Sequence, residues 1–499
     1  MNTLTREAII MEGTRTLRVV LGIALTLCGG TLASQPAPPA CQTTLDQLEA
    51  KVEADYAGYL LEVRDQRRTA YDSALANLRA RAAGADASAC LDLLQTYIAW
   101  FDDPHLFLFQ SATLDSVEAR RRMADVPLRP FDSLAYESGL RRPDDARDPI
   151  EGIWTDGRLR VAVLPDGDRS AGHFVAVVLT PDTIAWPRNA VRARFLRIGT
   201  GRYRADLDLP NFAHRRLEAD IYRNDLLRTS PGTWGREAPA AELTSGQLDP
   251  VDPRRPTLRI HNGTVIVAIP SDDPAYQLAL DSLVARNVET LRTADRLILD
   301  LRGNEGGSVS TFTALIPYVV TDGQAAPPLL DQAATRMLSS PDQIAYARRA
   351  FGPDTSAFVR SLVTRLEAAP GALVPLFDPA APPKDEGLPP AILGPRRVGV
   401  VIDRGTVSAA EVVVLYARMS KRVTIYGEPT AGALDYESIS IVPISPDERR
   451  WYLGYPTVTR NEQLPVGGMK GMGIAPDVRL DLTHLRDPIG WVEEDLRRR

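Results

Sequence analysis

Apolar and polar residues follow three different spacings along the chain. Between 43 and 100, apolar residues recur every three or four positions between charged ones, which predicts two or three amphipathic helices. Between 151 and 220 they alternate with polar residues in short stretches separated by Gly, Asp and Pro, which predicts a small antiparallel β-domain, either a sandwich or a barrel. Between 257 and 482 short apolar runs alternate with helical patterns, which predicts crossover connections and a mostly parallel sheet. The whole pattern predicts an α/β protein.

The composition is typical of a globular protein and argues against a nucleic-acid partner. Of the 499 residues, 44% are apolar and 24% are charged, which is ordinary for soluble domains. The net charge of −6 leaves no basic excess to displace counterions from phosphates. A chain of this length is expected to hold several domains, although nothing in it indicates an oligomeric state.

The first 33 residues are predicted to be an export signal. Arg15 and Arg18 precede an apolar run at 19–28, and the small residues at 29–33 offer a cleavage site. The run is too short for a stable membrane span. The protein is therefore expected to be periplasmic or secreted. A lipid anchor on Cys28 is the less favoured alternative, because Leu27 stands where a small residue would be expected.

The changes in spacing also give domain boundaries. We expect a signal peptide at 1–33, a helical N-terminal domain at 34–125, an antiparallel β-domain with its linker at 126–255, and an α/β core at 256–499. Cleavage of the signal leaves two cysteines, Cys41 and Cys90, which are expected to form a disulfide in an oxidising compartment. The alternative is two free buried thiols. Neither cysteine has the spacing of a metal site.

Ser408 is the first candidate for chemistry. A β-branched run at 398–402 leads through a turn into an apolar helical pattern that begins at Ala409, so Ser408 lies where strand gives way to helix. Unpaired N–H groups and the positive end of the helix dipole suit a developing oxyanion at this place. A purely structural alternative is a capping box between Ser408 and Glu411.

A glycine-rich turn is the second candidate. The stretch LILDLRGNEGGS at 297–308 predicts a buried strand followed by a turn whose glycines allow close backbone approach. Neighbouring glycine N–H groups can form a nest for an oxyanion. A phosphate loop is disfavoured because no lysine follows the glycines. The structural alternative is a tight connection from strand to helix.

Four ordered motifs resemble those of one enzyme family. LILDLRGNEGGS, GTVSAAEVVVLYARMSKRVTIYGEPTAGALDY, LGYPT and GMGIAPDVRLDL are similar to the core of the C-terminal processing and tricorn-type serine peptidases, serine peptidase family 41. The resemblance covers 257–482. It implies a ClpP/crotonase-like core at 256–499, cleavage of peptide or protein substrates through a Ser acyl-enzyme, and no metal or organic cofactor.

The resemblance also assigns roles to individual residues. Ser408 corresponds to the nucleophile, the N–H of Ala409 to one oxyanion donor, and Gly306 or Gly307 to the second donor. The processing-peptidase branch activates its serine with a lysine, but Ala433 occupies that position here. A side chain that cannot take a proton leaves the serine without its usual base, so another base is required.

His105 is the predicted general base. The tricorn-like branch uses a histidine from a helical segment before the core, and Asp103-Pro104-His105 resembles the D-x-H form of that motif. An imidazole can accept the serine proton near neutral pH. The alternative is a structural histidine beside aromatic residues. The remaining histidines are weaker candidates because of their positions in the chain: His173, His214, His261 and His484.

The residue that orients His105 is left open among several carboxylates. Asp435 corresponds to an Asp in similar sequences and is the preferred candidate. Asp102 and Asp103 are local alternatives, and Glu437 follows shortly after Asp435. The alternative to an exported endopeptidase is a non-catalytic peptide-binding or scaffolding protein that retains the peptidase core. A crotonase-type acyl-CoA enzyme is less favoured because no CoA-binding feature is evident.

Overall fold

The computed structural model describes residues 41–499 apart from 111–115, 143, 145, 181–185, 209–213, 230–231, 241–247, 321–333, 352–355, 381–393, 446–447 and 461–467. The predicted export signal at 1–33 and Cys28 therefore lie outside the described residues. Mixed α/β architecture, with several separate sheets, is confirmed. Among the helices that the structure describes, none has the length and apolar character needed to cross a membrane.

The N-terminal region is helical, as the spacing of three and four predicts. It contains α1 (Cys41–Asp55), a π-helical segment (Tyr59–Arg67), α2 (Arg68–Ala82) and α3 (Ala87–Ala99). A disulfide joins Cys41 in α1 to Cys90 in α3, with a Cα–Cα distance of 5.5 Å. On the loop-entropy model a cross-link of this kind stabilises the fold by roughly 4 kcal/mol.

Strand β1 (Phe107–Gln110) connects the helical region to the rest of the molecule. It pairs antiparallel with a long strand far along the chain, in register Phe107↔Gly454. The buried faces of the N-terminal helices share one apolar cluster with residues of that distant sheet, among them Tyr436 and Tyr455. The early part of the chain is therefore packed against the late part, which is the condition that a catalytic His105 needs.

An eight-stranded antiparallel barrel follows, after the short helices α4 (Ser116–Ala124) and α5 (Ser133–Leu140). The alternating pattern predicts either a sandwich or a barrel, and the structure shows a barrel. Pairing of the last strand with the first closes the barrel and so removes both sheet edges. Its strands are β2 (Gly152–Thr155), β3 (Arg160–Pro165), β4 (His173–Thr180), β5 (Val191–Gly199), β6 (Arg202–Asp208), β7 (His214–Tyr222), β8 (Leu226–Thr229) and β9 (Gly232–Ala238).

The core of the molecule is a six-stranded sheet in the order β10-β11-β12-β15-β16-β19. Every neighbouring pair is parallel except β10 with β11. Apolar side chains cover both faces, as expected for a parallel sheet buried between helices. The strands are β10 (Thr257–His261), β11 (Thr264–Ala268), β12 (Arg296–Asp300), β15 (Arg397–Ile402), β16 (Val423–Gly427) and β19 (Val478–Arg479). The helices of this region are α6 (Gln277–Arg286), α7 (Val288–Thr293), α8 (Ile316–Val319), α11 (Ala409–Arg418) and α12 (Pro488–Arg498).

A second sheet joins distant segments. Strands β17 (Tyr436–Ser445) and β18 (Glu448–Thr459) form its hairpin, and β18 also pairs with β1. The remaining strands, β13 (Arg336–Leu338) and β14 (Leu373–Pro375), come from the segment between β12 and β15, together with α9 (Pro341–Ala350) and α10 (Ala357–Ala368). This sheet carries the N-terminal helices on the core.

Candidate active site

Ser408 lies at the carboxyl ends of neighbouring parallel strands. The turns after β12 and β15 are tied together by Asp403, whose Oδ1 accepts the N–H of Gly303 at 2.9 Å and that of Gly405 at 2.8 Å. Thr406 adds a hydrogen bond from its hydroxyl to the carbonyl of Leu301, 3.0 Å long. Ligand sites of α/β sheets lie at such strand ends. The half-buried Ser408 follows directly, one residue before α11.

The backbone of Ser408 is strained. Its φ and ψ are 56° and −116°, whereas an ordinary N-cap residue takes values in the β region. Such a conformation in a residue other than glycine costs of the order of 1–3 kcal/mol and is concentrated at active sites. A residue that only capped α11 would have no need of it. The strain therefore favours a chemical role for Ser408 over a purely structural one.

Glu411 holds the start of α11 in place through hydrogen bonds. Its buried carboxylate accepts the N–H of Ser408 at 2.9 Å, and the capping box between Ser408 and Glu411 is present. The same carboxylate accepts the hydroxyl of Thr430 at 2.6 Å and the N–H groups of Gly432 and Ala433 at 2.8 Å each. Burial raises the pKa of Glu411, and these donors oppose that rise. Ala433, which occupies the position of the missing lysine, thus contributes only its N–H.

The glycine turn after β12 lies directly against Ser408. A Cβ added to Gly306 would lie 3.0 Å from Ser408 Cβ, 3.1 Å from the nitrogen of Ala409 and 2.6 Å from the carbonyl oxygen of Val407. Gly306 also has a φ of +83°, which side chains rarely adopt. Only glycine fits here, and the two motifs that the sequence singled out separately form one site.

The N–H groups near this turn are not equivalent. That of Gly306 donates to Asn304 Oδ1 at 2.9 Å, and the amide of Asn304 donates in turn to the carbonyl of Ile269 at 2.8 Å. Within the described part of the chain, the N–H groups of Gly307 and Ala409 have no acceptor. Of the two glycines that the resemblance left open, Gly307 is therefore the one with a donor to offer.

His105 is buried beside Asp103. The imidazole is 5% exposed, the N–H of His105 donates to Asp103 Oδ1 at 2.9 Å, and that oxygen lies 3.9 Å from His105 Nδ1. Nδ1 itself has no hydrogen-bond partner among the described residues. Burial lowers the pKa of His105 to about 4, against a smaller opposing effect of the negative charge of Glu437. The imidazole is consequently neutral at physiological pH and able to accept a proton.

Asp103 is itself held in place by neighbours. The hydroxyl of Tyr56 donates to its Oδ2 at 2.8 Å. Burial raises the pKa of Asp103 to about 6, while the hydrogen bonds from His105 and Tyr56 lower it in part. The Asp103 carboxylate fixes the position of His105 by binding the backbone N–H of His105, and it lies beside the imidazole ring.

His105 and Ser408 are linked through a shared set of loops. No hydrogen bond joins the imidazole to the serine hydroxyl among the residues that the structure describes. Instead, Gly432, which binds Glu411, lies against Met469. Lys470 next to it donates from Nζ to the carbonyl of Phe101 at 2.8 Å, four residues before His105.

Asp435 is part of these loops. Its Oδ1 accepts the N–H of Met469 at 2.7 Å and its Oδ2 that of Lys470 at 3.4 Å. Burial raises its pKa, and the two backbone donors oppose that rise. The carboxylate thus holds the 469–470 segment, whereas Asp103 Oδ1 lies 3.9 Å from His105 Nδ1. Glu437 pairs with Arg460, with a nitrogen to oxygen distance of 2.8 Å, and Asp102 is exposed.

The other histidines have surroundings that explain them without catalysis. His173 is exposed on β4. His261 Nδ1 lies 2.7 Å from Glu493, and His484 Nδ1 lies 2.8 Å from Asp481. The side chain of His214 lies outside the described residues. Across the described ranges no group of three or more His, Cys, Asp or Glu residues could hold a metal ion.

Sequence reasoning missed two polar residues of the site. Asn304 orders the glycine turn, as described above, and buried Asp272 binds the same turn through its backbone: its N–H donates to the carbonyl of Gly306 at 3.0 Å and its carbonyl accepts Ser308 N–H at 2.7 Å. Burial raises the pKa of Asp272 to about 7, and the amide of Asn304 opposes this in part. The asparagine between the glycines of RGNEGG could have indicated a role for Asn304, whereas nothing in the sequence around Asp272 indicates burial.

Comparison with known proteins gives one family match and several structural similarities. Residues 274–480 match the model of peptidase family S41. Comparison with curated protein sequences gives no match.

Three solved structures illustrate the range of structural similarity. Mature CPAF complexed with lactacystin is 14% identical at a TM-score of 0.45, over 92% of this chain and 97% of that one. The photosystem II D1 C-terminal processing protease is 14% identical at 0.36, over 90% and 95%. The tricorn protease is 13% identical at 0.39, over 92% of this chain and 37% of that one.

The family match, rather than these distant similarities, bears on the function of the chain. It begins in the turn before α6, ends at the last residues of the core sheet, and includes both the glycine turn and Ser408. Residues 274–480, less than half of the chain, match peptidase family S41, and this match supports a serine-type peptidase.

Proposed function

We propose that this protein is an exported endopeptidase that cleaves peptide or protein substrates through an acyl-enzyme on Ser408. The observation that carries the proposal is the strained backbone of Ser408 directly against Gly306. Strain at the nucleophile, close approach of a glycine turn and free N–H groups at a helix start are the parts that acyl transfer requires.

The proposed chemistry uses groups of this chain alone. Ser408 Oγ attacks the scissile carbonyl carbon while His105 takes its proton. The N–H groups of Gly307 and Ala409 donate to the oxyanion that forms. His105 then returns the proton to the leaving amine, and water, activated by the same imidazole, releases the acyl group. In this scheme Gly306 allows the close approach and keeps its own N–H on Asn304.

Proton transfer requires a hydrogen bond between the imidazole of His105 and Ser408 Oγ, and none joins them among the residues that the structure describes. Catalytic hydrogen bonds are often loose or absent before substrate binds. The 430–436 and 469–470 segments contact both halves of the site, through Glu411 on one side and the carbonyl of Phe101 on the other. We therefore include in the proposal that this hydrogen bond forms when substrate binds.

Asp103 replaces Asp435 as the orienting carboxylate in this proposal. Asp103 already accepts a hydrogen bond from the backbone N–H of His105 and has an oxygen 3.9 Å from Nδ1, while Asp435 accepts the N–H groups of Met469 and Lys470.

We further propose that 256–499 is a ClpP/crotonase-like core. Export is supported by the signal-like sequence at 1–33 and by the Cys41–Cys90 disulfide, because structural disulfides persist in oxidising compartments.

The test is covalent labelling with a serine-directed fluorophosphonate followed by mass mapping of the modified peptide. We expect the label on Ser408 in the wild type and no label in Ser408→Ala, with an unchanged circular dichroism spectrum. Ser310→Ala is the matched control, because it removes an exposed hydroxyl near the glycine turn and should label normally. Undiminished labelling of Ser408→Ala would refute the assignment.

A further inference from the structure

The closed barrel of β2–β9 contains a cavity of about 240 Å³. Its walls are mostly apolar and include Val163, Ala176, Phe195, Leu207 and Trp234. Small closed barrels either fill their interior with side chains or hold one small ligand. This barrel has the space for a ligand, and the peptidase chemistry proposed above makes no use of it.

A buried cation faces into the same cavity. Arg192 on β5 lines it, is 8% exposed, and has two nitrogens, Nε and Nη1, without a hydrogen-bond partner among the described residues. Its guanidinium lies over the ring of Trp186, 4.8 Å from the centroid, which fixes its direction. A buried charge without a hydrogen-bonded partner is costly to keep, so Arg192 is placed to gain from binding an anion.

The charges around Arg192 define what it can bind. Burial lowers its pKa to about 10, and the carboxylates of Asp208 and Asp156 oppose the shift, so Arg192 is a cation at physiological pH. Asp156 also lines the cavity, and its Oδ1 accepts the N–H groups of Arg158 and Leu159 at 2.9 and 2.8 Å. The forked donors of the guanidinium remain available for a carboxylate, the group whose geometry they match.

We propose that the barrel binds a small amphiphile of the fatty-acid class. The carboxylate pairs with Arg192, and the alkyl chain fills the apolar cavity between Val163, Phe195 and Trp234. Arg192 and the apolar cavity together select this class. An uncharged apolar molecule would leave Arg192 without a partner, and a small polar anion would leave the apolar cavity unfilled.

The experiment measures binding to the full chain by calorimetry and by displacement of a fluorescent fatty-acid analogue. The series runs from hexanoate to palmitate, each acid against the primary alcohol of the same length. At least one acid is expected to bind, and its alcohol about tenfold or more weakly, since a hydrogen bond to a charged group is lost. Absence of binding by every acid, or equal binding of acid and alcohol, would overturn the proposal.

Two variants assign the site. Arg192→Leu should lower the affinity for the acid about tenfold or more and leave the alcohol little changed. Arg194→Leu on the same strand is the matched control, because Arg194 is exposed and paired with Asp166 at 2.9 Å, and it should bind like the wild type. If Arg192→Leu does not fold, the acid and alcohol comparison on the wild type decides alone. Binding of an apolar peptide with a free C-terminus, together with no binding of any fatty acid, would also overturn the proposal.

Discussion

The two halves of the candidate active site are stabilised in different ways. Around Ser408 hydrogen bonds dominate: the Glu411 carboxylate accepts four of them, and Gly306 is held between Asn304 and the start of α11. Around His105 burial dominates, and Nδ1 has no partner among the described residues. Hydrogen bonds therefore form the serine half and offset its backbone strain, whereas packing places the histidine half. Substitutions in the first half should change stability and activity together, and those in the second mainly activity.

The largest effect is expected from His105→Ala. Loss of a general base lowers the rate of attack by about 10²–10⁴-fold, and the fluorophosphonate labelling rate measures it. The variant should remain folded, because the N-terminal apolar cluster does not depend on the imidazole. His173→Ala, which removes an exposed imidazole from the barrel, should label at the wild-type rate. An unchanged labelling rate in His105→Ala would leave the serine half without this base.

The pH dependence of the labelling rate tests whether the base is the buried imidazole of His105. The neutral imidazole is the active form, and burial lowers its pKa to about 4. The rate should therefore persist well below the usual histidine pKa of about 6.5 and fall only as the pH approaches 4. A half-maximal rate near pH 6.5 in the free enzyme would mean that the base is a solvated imidazole rather than buried His105.

Gly306→Ala should be the most damaging change in the serine half. The added methyl would lie 2.6 Å from the carbonyl oxygen of Val407, and alanine rarely adopts a φ of +83°. Displacing the turn moves the Gly307 donor, and loss of one oxyanion donor costs about 10²–10³-fold in rate. Labelling rate and unfolding midpoint should fall together. Gly371→Ala is the control for positive φ alone, because it has the similar φ of +75° with nothing within 4 Å of the added carbon. Equal losses in both variants would contradict a role specific to the site.

Glu411→Gln tests whether hydrogen bonds, rather than packing, form the serine half. The amide keeps the size of the side chain but replaces one acceptor oxygen by a donor. That donor faces either the N–H groups of Ser408 and Ala433 or the hydroxyl of Thr430 and the N–H of Gly432. Leaving buried donors unsatisfied costs about 1–3 kcal/mol, so the midpoint of urea unfolding should fall accordingly. The control Glu428→Gln is expected to lose less, because its one recorded bond, from Leu482 N–H, is 3.3 Å long. A variant as stable as the wild type would show that packing alone holds the loop.

The sequence predicted the serine half better than the histidine half for a physical reason. The strand, the turn and the start of α11 are contiguous, so the spacing at 398–409 and the glycines at 303–307 could be recognised locally. The approach of His105 depends on β1 pairing with β18, and no local pattern encodes that pairing. The orienting carboxylate could not be chosen for the same reason: whether Asp435 binds a ring or the Met469 backbone is decided by tertiary packing.

The barrel shows the same limit of local information. Alternation predicted antiparallel strands, but a barrel differs from a sandwich only in whether its end strands pair, and that depends on how β2 meets β9. Arg192 reads in the sequence as one more arginine of an alternating strand. Its burial follows from irregular pairing of β5 with β4 nearby, which breaks the simple alternation of inward and outward residues.

Asp272→Asn should give the smallest effect, and it should raise the free energy of unfolding rather than lower it. Burial raises the pKa of Asp272 from 3.8 to about 7, so the folded protein binds a proton that the unfolded chain has already lost. The stability contributed by the protonated carboxyl is therefore present below about pH 4 and is lost as the pH rises to about 7. Asparagine avoids this loss, and we expect the variant to be more stable than the wild type by about 1 kcal/mol at pH 8, with the gain shrinking toward pH 5.

Urea unfolding of both proteins at several pH values measures this difference, and Asp273→Asn is the control because Asp273, in the same loop, is only partly buried. A gain that does not depend on pH would exclude the ionisation of Asp272 as its cause. Because Asp272 binds the Gly306 turn through its backbone, the labelling rate of Asp272→Asn adds a second criterion. Greater stability with unchanged labelling would mean that the buried charge burdens the fold without serving the site, whereas greater stability with slower labelling would mean that the serine half needs that charge.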